Sequence, residues 1–307
     1  MSKSKQVFIL GAPRSGTTFL ASLLSETRYK APFETQFIPK YYHKLESYGD
    51  IKEFSNFSTL LKEILSERAV MQWKLDLDLN DFFKSFGENI TYARMVDRLC
   101  AMKHKNNNDG YWGEKTPWYL NELDNIYQLF PDAKYIYIVR DGRDVALSLL
   151  EKEWGPNNIY ACATYWKSLN GPNPVLDKLR KSGQLLELRY EDLLDDTERY
   201  IQEFYEFLGE PYNNEMVEKL ASTTQKGNYY KWKNKFSASE IKLFDHIAAS
   251  TLNKFGYETF ESENKLSPVL EQYYKIHNKL IWAKFMFKTN VIDGFKIKFL
   301  GKEPFAD

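Results

Sequence analysis

The fold of this chain is decided by residues 7–18, which read VFILGAPRSGTT. The run at 7–10 is short, apolar and β-favouring, and a Gly/Pro-containing turn ends it, so we predict a buried strand there. A helix should follow over 17–26. Backbone N–H groups in a loop between a strand and a helix, together with the helix dipole, form an anion site. The segment therefore predicts a phosphate-binding loop.

Short apolar runs and periodic segments alternate along the rest of the chain. Further strands are predicted over 135–139 and 185–188, each preceded or followed by turn residues. Helices are predicted over 38–67 with a break at 49–50, and over 89–103, 143–152, 196–208 and 237–253, the last opened by a capping box. Parallel neighbours need helical crossovers, so we expect an α/β fold of three layers, with a central parallel sheet flanked by helices.

No internal repeat, low-complexity linker or composition break marks a domain boundary. We therefore expect one domain over 1–307, with the motifs in 6–236 and a helical extension over 237–307. The 42 Lys+Arg balance 42 Asp+Glu, so no overall positive field favours nucleic acid. Hydrophobic residues at 43% and charged residues at 27% are typical of a folded globular protein.

The cysteines and the N-terminus bear on the compartment. Cys100 and Cys162 cannot build a disulfide framework, and they have no metal-ligand spacing with the histidines, which favours a reducing compartment. The polar first residues lead straight into the first apolar run, with no hydrophobic segment of the length of a signal peptide or membrane span. The sequence therefore predicts a cytoplasmic protein.

The loop has the glycine spacing of a nucleotide P-loop but lacks its lysine. Gly11 and Gly16 are separated by four residues, yet Thr17 stands where the phosphate-bridging lysine should be, and the cation in the loop is Arg14. An ordinary kinase or NTPase loses an essential group by this change. The structural alternative is a Gly/Pro turn that happens to precede a helix.

Residues 13–18, PRSGTT, resemble the loop Pro-[Lys/Arg]-Ser-Gly-Thr-Thr of the sulfotransferases that use 3′-phosphoadenosine 5′-phosphosulfate, PAPS. The resemblance implies that the loop holds the 5′-phosphate and sulfonate of PAPS. The residues so implied are Arg14, Ser15, Gly16, Thr17 and Thr18, and Arg14 is also implied as a catalytic residue that stabilises the sulfonate. Phe19 occupies the place where many relatives carry a Trp that stacks on adenine, and packing on the helix face is the alternative for it.

A second motif of that family is an Arg at a strand end with a Ser eight positions later, and Arg140 and Ser148 match it. The resemblance implies that both hold the 3′-phosphate, to which Arg offers a planar fork. A Walker B strand would end in an acid that holds magnesium, so Arg140 favours a 3′-phosphonucleotide and no required metal. A surface salt bridge is the alternative for Arg140. Asp141 and Asp144 should cap and neutralise the helix start.

Two further matches are weaker. Residues 189–193, RYEDL, resemble a family segment whose Tyr approaches the nucleotide, which implies that role for Tyr190. Residues 225–227, QKG, resemble a late Arg-Lys-Gly loop that returns to the 3′-phosphate. Only Lys226 and Gly227 carry over, because Gln225 stands where the family has Arg.

Sulfuryl transfer needs a base for the acceptor and a cation near the leaving oxygen. Residues 32–39, PFETQFIP, resemble the segment that carries a Glu base in heparan-type and tyrosylprotein sulfotransferases, which implies Glu34. We expect nearby rings to bury it, and capping of the helix near 38 is the alternative. Residues 113–119, GEKTPWY, resemble a run whose Lys faces the sulfonate, which implies Lys115. A solvated surface Lys is the alternative there.

The implied function is transfer of the sulfuryl group from PAPS, without a metal, to a hydroxyl or amine of a carbohydrate, peptide tyrosine, lipid or small molecule. A P-loop kinase or NTPase and a non-catalytic phosphonucleotide-binding module stay as alternatives. The C-terminal stretches 281–288 and 295–299 interleave aromatic residues with lysines. Docking of a terminal helix is favoured for them over contact with a membrane surface.

Overall fold

The computed structural model describes residues 5–103, 109–260 and 266–289. The chain divides into two compact units. One comprises Met1–Val139 with Pro172–Gly227, and the other comprises Arg140–Gly171 with Asn228–Asp307. This division is finer than the single domain expected from the sequence, which stays a prediction.

A four-stranded parallel sheet lies in the first unit. Its strands are β1 (Gln6–Leu10), β2 (Trp112–Glu114), β3 (Lys134–Val139) and β4 (Leu185–Arg189), in the order β2-β1-β3-β4. Every neighbouring pair is parallel, as predicted. The sequence did not predict β2, because it has only three residues and no alternating pattern to detect.

The α-helices have the following bounds in chain order: α1 (Thr17–Ser25), α2 (Phe37–Tyr42), α3 (Phe54–Leu65), α4 (Arg68–Met71), α5 (Leu79–Lys84), α6 (Tyr92–Met102), α7 (Leu123–Leu129), α8 (Gly142–Leu150), α9 (Ile159–Asn170), α10 (Pro174–Lys181), α11 (Tyr190–Asp195), α12 (Thr197–Leu208), α13 (Asn214–Ala221), α14 (Trp232–Lys235), α15 (Ala238–Lys254) and α16 (Pro268–Phe287). Short 3-10 helices cover Leu45–Tyr48 and Pro117–Glu122. The capping box that opens α15 is confirmed. The stretch predicted as helix over 38–67 is broken into α2, a 3-10 turn and α3.

The sheet of the first unit is covered on both faces, because alternate residues of β1 point to opposite sides. Val7 and Ile9 share one hydrophobic core with α1 and α12. Phe8 points the other way, and its ring centroid lies 5.6 Å from that of Trp112 and 5.5 Å from that of Tyr135. The three-layer α/β architecture is therefore confirmed.

The second unit is helical and has a buried charged cluster at its centre. Arg143 on α8 donates to Asp141 at 2.8 Å and to Asp245 on α15 at 3.2 Å. Its guanidinium lies 3.8 Å from the ring centroid of Trp232 on α14. Because all these side chains are buried, the cluster ties α8, α14 and α15 together.

The C-terminal helix α16 lies against the start of α9. Tyr160 donates to Glu271 at 2.9 Å, and its ring stacks on that of Tyr274 at 5.8 Å. In the aromatic and basic stretch at 281–288, Trp282 and Phe287 are exposed. The stretch at 295–299 lies outside the described residues. Within the described part of the chain, every helix is too short or too polar to cross a bilayer.

Candidate functional site

The loop between β1 and α1 has the backbone of an anion site. Arg14 and Gly16 both adopt left-handed conformations, with φ of 70° and 97°. Turns of this kind orient successive N–H groups toward one side, and a non-glycine residue at positive φ is typical of functional loops. Gly16 is the N-cap of α1, where no side chain caps the helix and no acid lies in the first turn. The N–H groups of this helix start therefore lack an anion from within the helix itself.

Some side chains of the loop are buried and others are exposed. Arg14 and Thr18 are exposed, whereas Thr17 is buried. Ser15 is fully buried, and its Oγ has no hydrogen-bond partner among the residues that the structure describes. A buried hydroxyl without a partner is costly, and a phosphate oxygen would satisfy it. The loop therefore fits a phosphorylated ligand.

Tyr190, at the first position of α11, packs directly on the loop. A β-carbon on Gly16 would lie only 2.6 Å from Cδ2 of Tyr190, so glycine is required there by packing as well as by its φ. Phe19 is half-buried and packs against the core shared by β1, α1 and α12. This contact is the one that the packing alternative expects, and adenine stacking by Phe19 stays a prediction.

Glu34 and Lys115 are brought together by a short backbone pairing. The N–H of Phe33 donates to the carbonyl of Gly113 at 3.0 Å, and the N–H of Lys115 donates to the carbonyl of Phe33 at 2.8 Å. The two segments form a single parallel bridge between Phe33 and Glu114, and the Lys115 ammonium forms an ion pair with the Glu34 carboxylate. This contact joins positions that are 81 residues apart.

The exposure and the contacts of this pair correct one expectation and rule out two alternatives. The Glu34 side chain is 61% exposed, so the predicted burial among aromatic rings is wrong. The Lys115 side chain is only 13% exposed, so it is not a solvated surface lysine. Helix capping by Glu34 is also wrong, because Gln36 occupies the N-cap of α2 and no side chain caps that helix.

Glu114 is a buried acid next to Lys115 in the chain, and the sequence analysis assigned it no role. Its carboxylate accepts hydrogen bonds from the N–H and hydroxyl of Thr35 at 3.2 and 3.3 Å, and from the hydroxyl of Thr116. Burial raises its pKa to about 7, against the lowering effect of these hydrogen bonds. Glu114 thus links the residues that follow Glu34 and Lys115. The available signal was the acid that directly precedes Lys115 in the GEKTP run.

Arg140 and Ser148 belong to the second unit. Arg140 directly follows β3 in the chain, and its Nη2 lies 3.6 Å from Oδ2 of Asp144. Asp144 and Ser148 share one face of α8 by their spacing, and Arg140 lies just before the N-cap of that helix. Asp141 caps α8 by accepting the N–H of Arg143 at 2.9 Å, which confirms its predicted role. The pairing of Arg140 with Ser148 on a 3′-phosphate stays a prediction.

Lys226 and Gly227 lie in an exposed turn, and Gly227 has a φ of 70° that favours glycine. Lys226 lines a polar cleft with Thr197 on α12 and Glu218 on α13. Their contact with a 3′-phosphate also stays a prediction. Among the described residues, His, Cys, Asp and Glu side chains form no group of three that would hold a metal ion.

Solved structures of two sulfotransferase domains share the fold. The domain from the olefin synthase of Synechococcus PCC 7002 has a TM-score of 0.55 at 20% identity, covering 85% of this chain and 98% of that domain. The domain from the curacin biosynthetic pathway has a TM-score of 0.50 at 19% identity, covering 84% of this chain and 99% of that domain. At these identities the likeness shows the fold alone.

The relatives found by sequence are matched over different shares of their own length. Protein-tyrosine sulfotransferase 1 of Danio rerio is 24% identical over 217 residues, which are 69% of this chain and 55% of that protein. A putative protein-tyrosine sulfotransferase of Caenorhabditis briggsae is 24% identical over 89% of this chain and 96% of its own. An uncharacterized protein of Aquifex aeolicus is 26% identical over 87% of this chain but 32% of its own. The chain thus spans about half the length of the first and about a third of the last.

The profile of the Sulfotransferase family matches residues 6–214, more than half of the chain. This range contains the phosphate loop, the Glu34–Lys115 ion pair and the Arg140–Ser148 motif. The parallel sheet and the loop geometry described above agree with this match. The chain belongs to the sulfotransferase family.

Proposed function

We propose that this protein transfers the sulfuryl group of PAPS to a hydroxyl or amine of an acceptor. The observation that carries the proposal is the ion pair of Glu34 with Lys115, because it joins a candidate base and a candidate cation from distant segments. Both residues lie in the unit that contains the phosphate loop. A non-catalytic binding module has no need of such a pair at this place.

The residues that would hold PAPS are those of the loop and of the Arg140 motif. PAPS supplies an activated sulfuryl group on a phosphate that leaves as part of a bisphosphate. The backbone of the loop and Arg14 would bind the 5′-phosphate side, and the Ser15 hydroxyl would find its missing acceptor there. Arg140 and Ser148 would bind the 3′-phosphate.

Glu34 and Lys115 divide the chemistry between them. The Glu34 carboxylate would accept the proton of the acceptor hydroxyl as that oxygen attacks. The Lys115 ammonium would stabilise negative charge that develops on the leaving oxygen. In the ion pair each group neutralises the other, so the pair has to open when both substrates bind. The 61% exposure of Glu34 leaves room for a bulky acceptor to reach the carboxylate.

A peptide tyrosine is the first acceptor to test, because several sequence relatives are named protein-tyrosine sulfotransferases. A phenol ionises near pH 10 and therefore benefits from a base as it attacks. A carbohydrate, a lipid and a small alcohol form the other arms of the same screen. Labelled PAPS and each acceptor class, incubated with the protein, would report transfer directly.

The first experiment is calorimetry of the bisphosphate 3′,5′-bisphosphoadenosine (PAP) against ATP and AMP, without magnesium. We expect tight binding of PAP and no tight binding of ATP or AMP. Preference for ATP would contradict the proposal and favour a kinase-like protein.

The second experiment compares Glu34→Gln with Glu67→Gln in the transfer assay. Glu67 is also paired with a lysine, Lys40, and provides a matched control in the same unit. We expect Glu34→Gln to lower the transfer rate about 10²–10⁴-fold, and the control to leave it unchanged. Full activity of Glu34→Gln would show that another group is the base.

A further inference from the structure

Asp144 is a buried carboxylate for which the sequence suggests only a role at the start of α8. Its side chain is fully buried. One of its oxygens lies 3.6 Å from Nη2 of Arg140. The carboxylate also accepts the backbone N–H of Tyr230 at 2.6 Å and that of Trp232 at 3.1 Å. A helix cap would need none of these three contacts.

Two further contacts join the backbone segment at residues 230–232 to the start of α8. The indole Nε1 of Trp232 donates to Asp141 at 3.1 Å, and Arg143 lies over the indole ring. In the chain, Lys226 and Gly227 come directly before this segment. The first turn of α8 therefore fixes both Arg140 and the backbone that follows the late Lys-Gly turn.

We propose that Asp144 is a positioning residue for the 3′-phosphate of the nucleotide. Its carboxylate orients the guanidinium of Arg140 through Nη2 and fixes the backbone at residues 230 and 232. This inference rests on the proposed function, in which a 3′-phosphorylated nucleotide is the ligand. A guanidinium already ordered in the free protein loses less conformational freedom when a phosphate binds. Without Asp144, the guanidinium would have to be ordered when the phosphate binds, and the backbone N–H groups of Tyr230 and Trp232 would lose their acceptor.

A purely structural role for Asp144 predicts a different outcome. General loosening of the second unit would weaken all nucleotides alike, whereas misplacement of Arg140 weakens only ligands with a 3′-phosphate. The informative quantity is the ratio of the Kd for AMP to the Kd for PAP, because these ligands differ at the 3′-phosphate. Asp245 provides the matched control, since it is a buried Asp that pairs with Arg143 and the N–H of Phe260.

The experiment measures both Kd values by calorimetry without metal for wild type, Asp144→Asn, Asp245→Asn and Arg140→Ala, with thermal unfolding of each. We expect Arg140→Ala to lower the ratio about a hundredfold and Asp144→Asn about tenfold, with the Kd for AMP unchanged. Asp245→Asn should lower the unfolding temperature and leave the ratio as it is. Asn keeps the size of Asp and one acceptor oxygen, and its amide nitrogen replaces the other acceptor. Asp245→Asn makes the same exchange beside an Arg and a backbone N–H, so it controls for this loss.

One result would overturn the inference alone: an unchanged or higher ratio in Asp144→Asn. Equal weakening of AMP and PAP is one way to obtain it. A wild type that binds PAP no better than AMP would instead contradict the proposed function, and with it the premise of this role for Asp144. The two failures are therefore distinguishable from one set of titrations.

Discussion

The chain contains two strand-turn-helix segments that look alike in sequence and differ at the helix start. In the first, α1 begins at Gly16 with no side-chain cap and no acid in its first turn. In the second, α8 begins at Asp141, which caps the helix, and Asp144 lies in its first turn. A helix start favours an anion. The first helix thus leaves that place to a ligand, whereas the second supplies the anions from its own sequence.

A similar contrast separates one buried acid of the first unit, Glu114, from the buried acids around Arg143 in the second. Asp141 and Asp245 have a buried cation, Arg143, between them. The Glu114 carboxylate in the first unit accepts its hydrogen bonds from neutral groups, Thr35 and Thr116. The buried charges of the second unit join three of its helices, whereas Glu114 accepts its hydrogen bonds from uncharged donors. Four changes, in order of expected effect on stability, would break or sharpen this comparison.

The largest effect is expected from Arg143→Met, which removes the cation of the buried cluster. Asp141 and Asp245 would then be buried without their partner, and the free energy of unfolding should fall by about 3–5 kcal/mol. Urea denaturation measures this change. Arg180→Met, which breaks exposed pairs with Asp177 and Glu187, serves as control and should cost under about 1 kcal/mol. Equal losses in both variants would show that the cluster is not structural.

The second-largest effect is expected in the pH dependence of stability, which Glu114→Gln tests. The folded-state pKa of Glu114, about 7, lies above its ordinary value of 4.5, so the folded protein binds this proton more tightly than the unfolded chain. This stabilisation is complete below about pH 4.5 and is lost as the pH rises through about 7. Relative to Glu114→Gln, wild type should lose about 3 kcal/mol of stability between pH 4.5 and pH 8. If the two proteins show the same dependence of stability on pH, the pKa of Glu114 is not raised by burial.

The third change is Gly16→Ala at the start of α1. Its left-handed φ disfavours a side chain, and the new β-carbon would meet the ring of Tyr190. We expect a loss of about 2 kcal/mol and weaker binding of PAP. Gly87→Ala isolates the contact, because Gly87 also has a positive φ but nothing lies within 4 Å of its β-carbon position. If both variants lose the same stability, the Tyr190 contact contributes nothing.

The smallest effect on stability is expected from Thr18→Glu, which gives α1 the acid that α8 has. Thr18 is exposed, so the new carboxylate meets little steric hindrance. It should stabilise the helix by about 0.3–1 kcal/mol through the helix dipole and lower the affinity for PAP at the same time. Thr18→Gln, equal in size and uncharged, is the control for both measurements. Unchanged PAP affinity in Thr18→Glu would place the nucleotide away from this helix start.

The local parts of this protein were determined by its sequence. The phosphate loop, the three longer strands and helices such as α1, α8 and α15 follow from apolar periodicity, turn residues and caps, whose interactions join residues close together in the chain. The cap at Asp141 belongs to this class. The roles of Arg14, Glu34, Lys115 and Arg140 came from matched motifs, which give a residue type at a position and no neighbours.

The tertiary structure alone decided which distant residues meet and which groups are buried. The pairing of Phe33 with β2 brings Glu34 to Lys115, and a three-residue strand has no periodic signal that would announce it. It also decided that Glu34 is exposed while Glu114 is buried, and that Asp144 holds the backbone at Tyr230, 86 positions away. Burial and long-range hydrogen bonds depend on how whole elements pack, and neighbouring residues in the chain do not encode that packing.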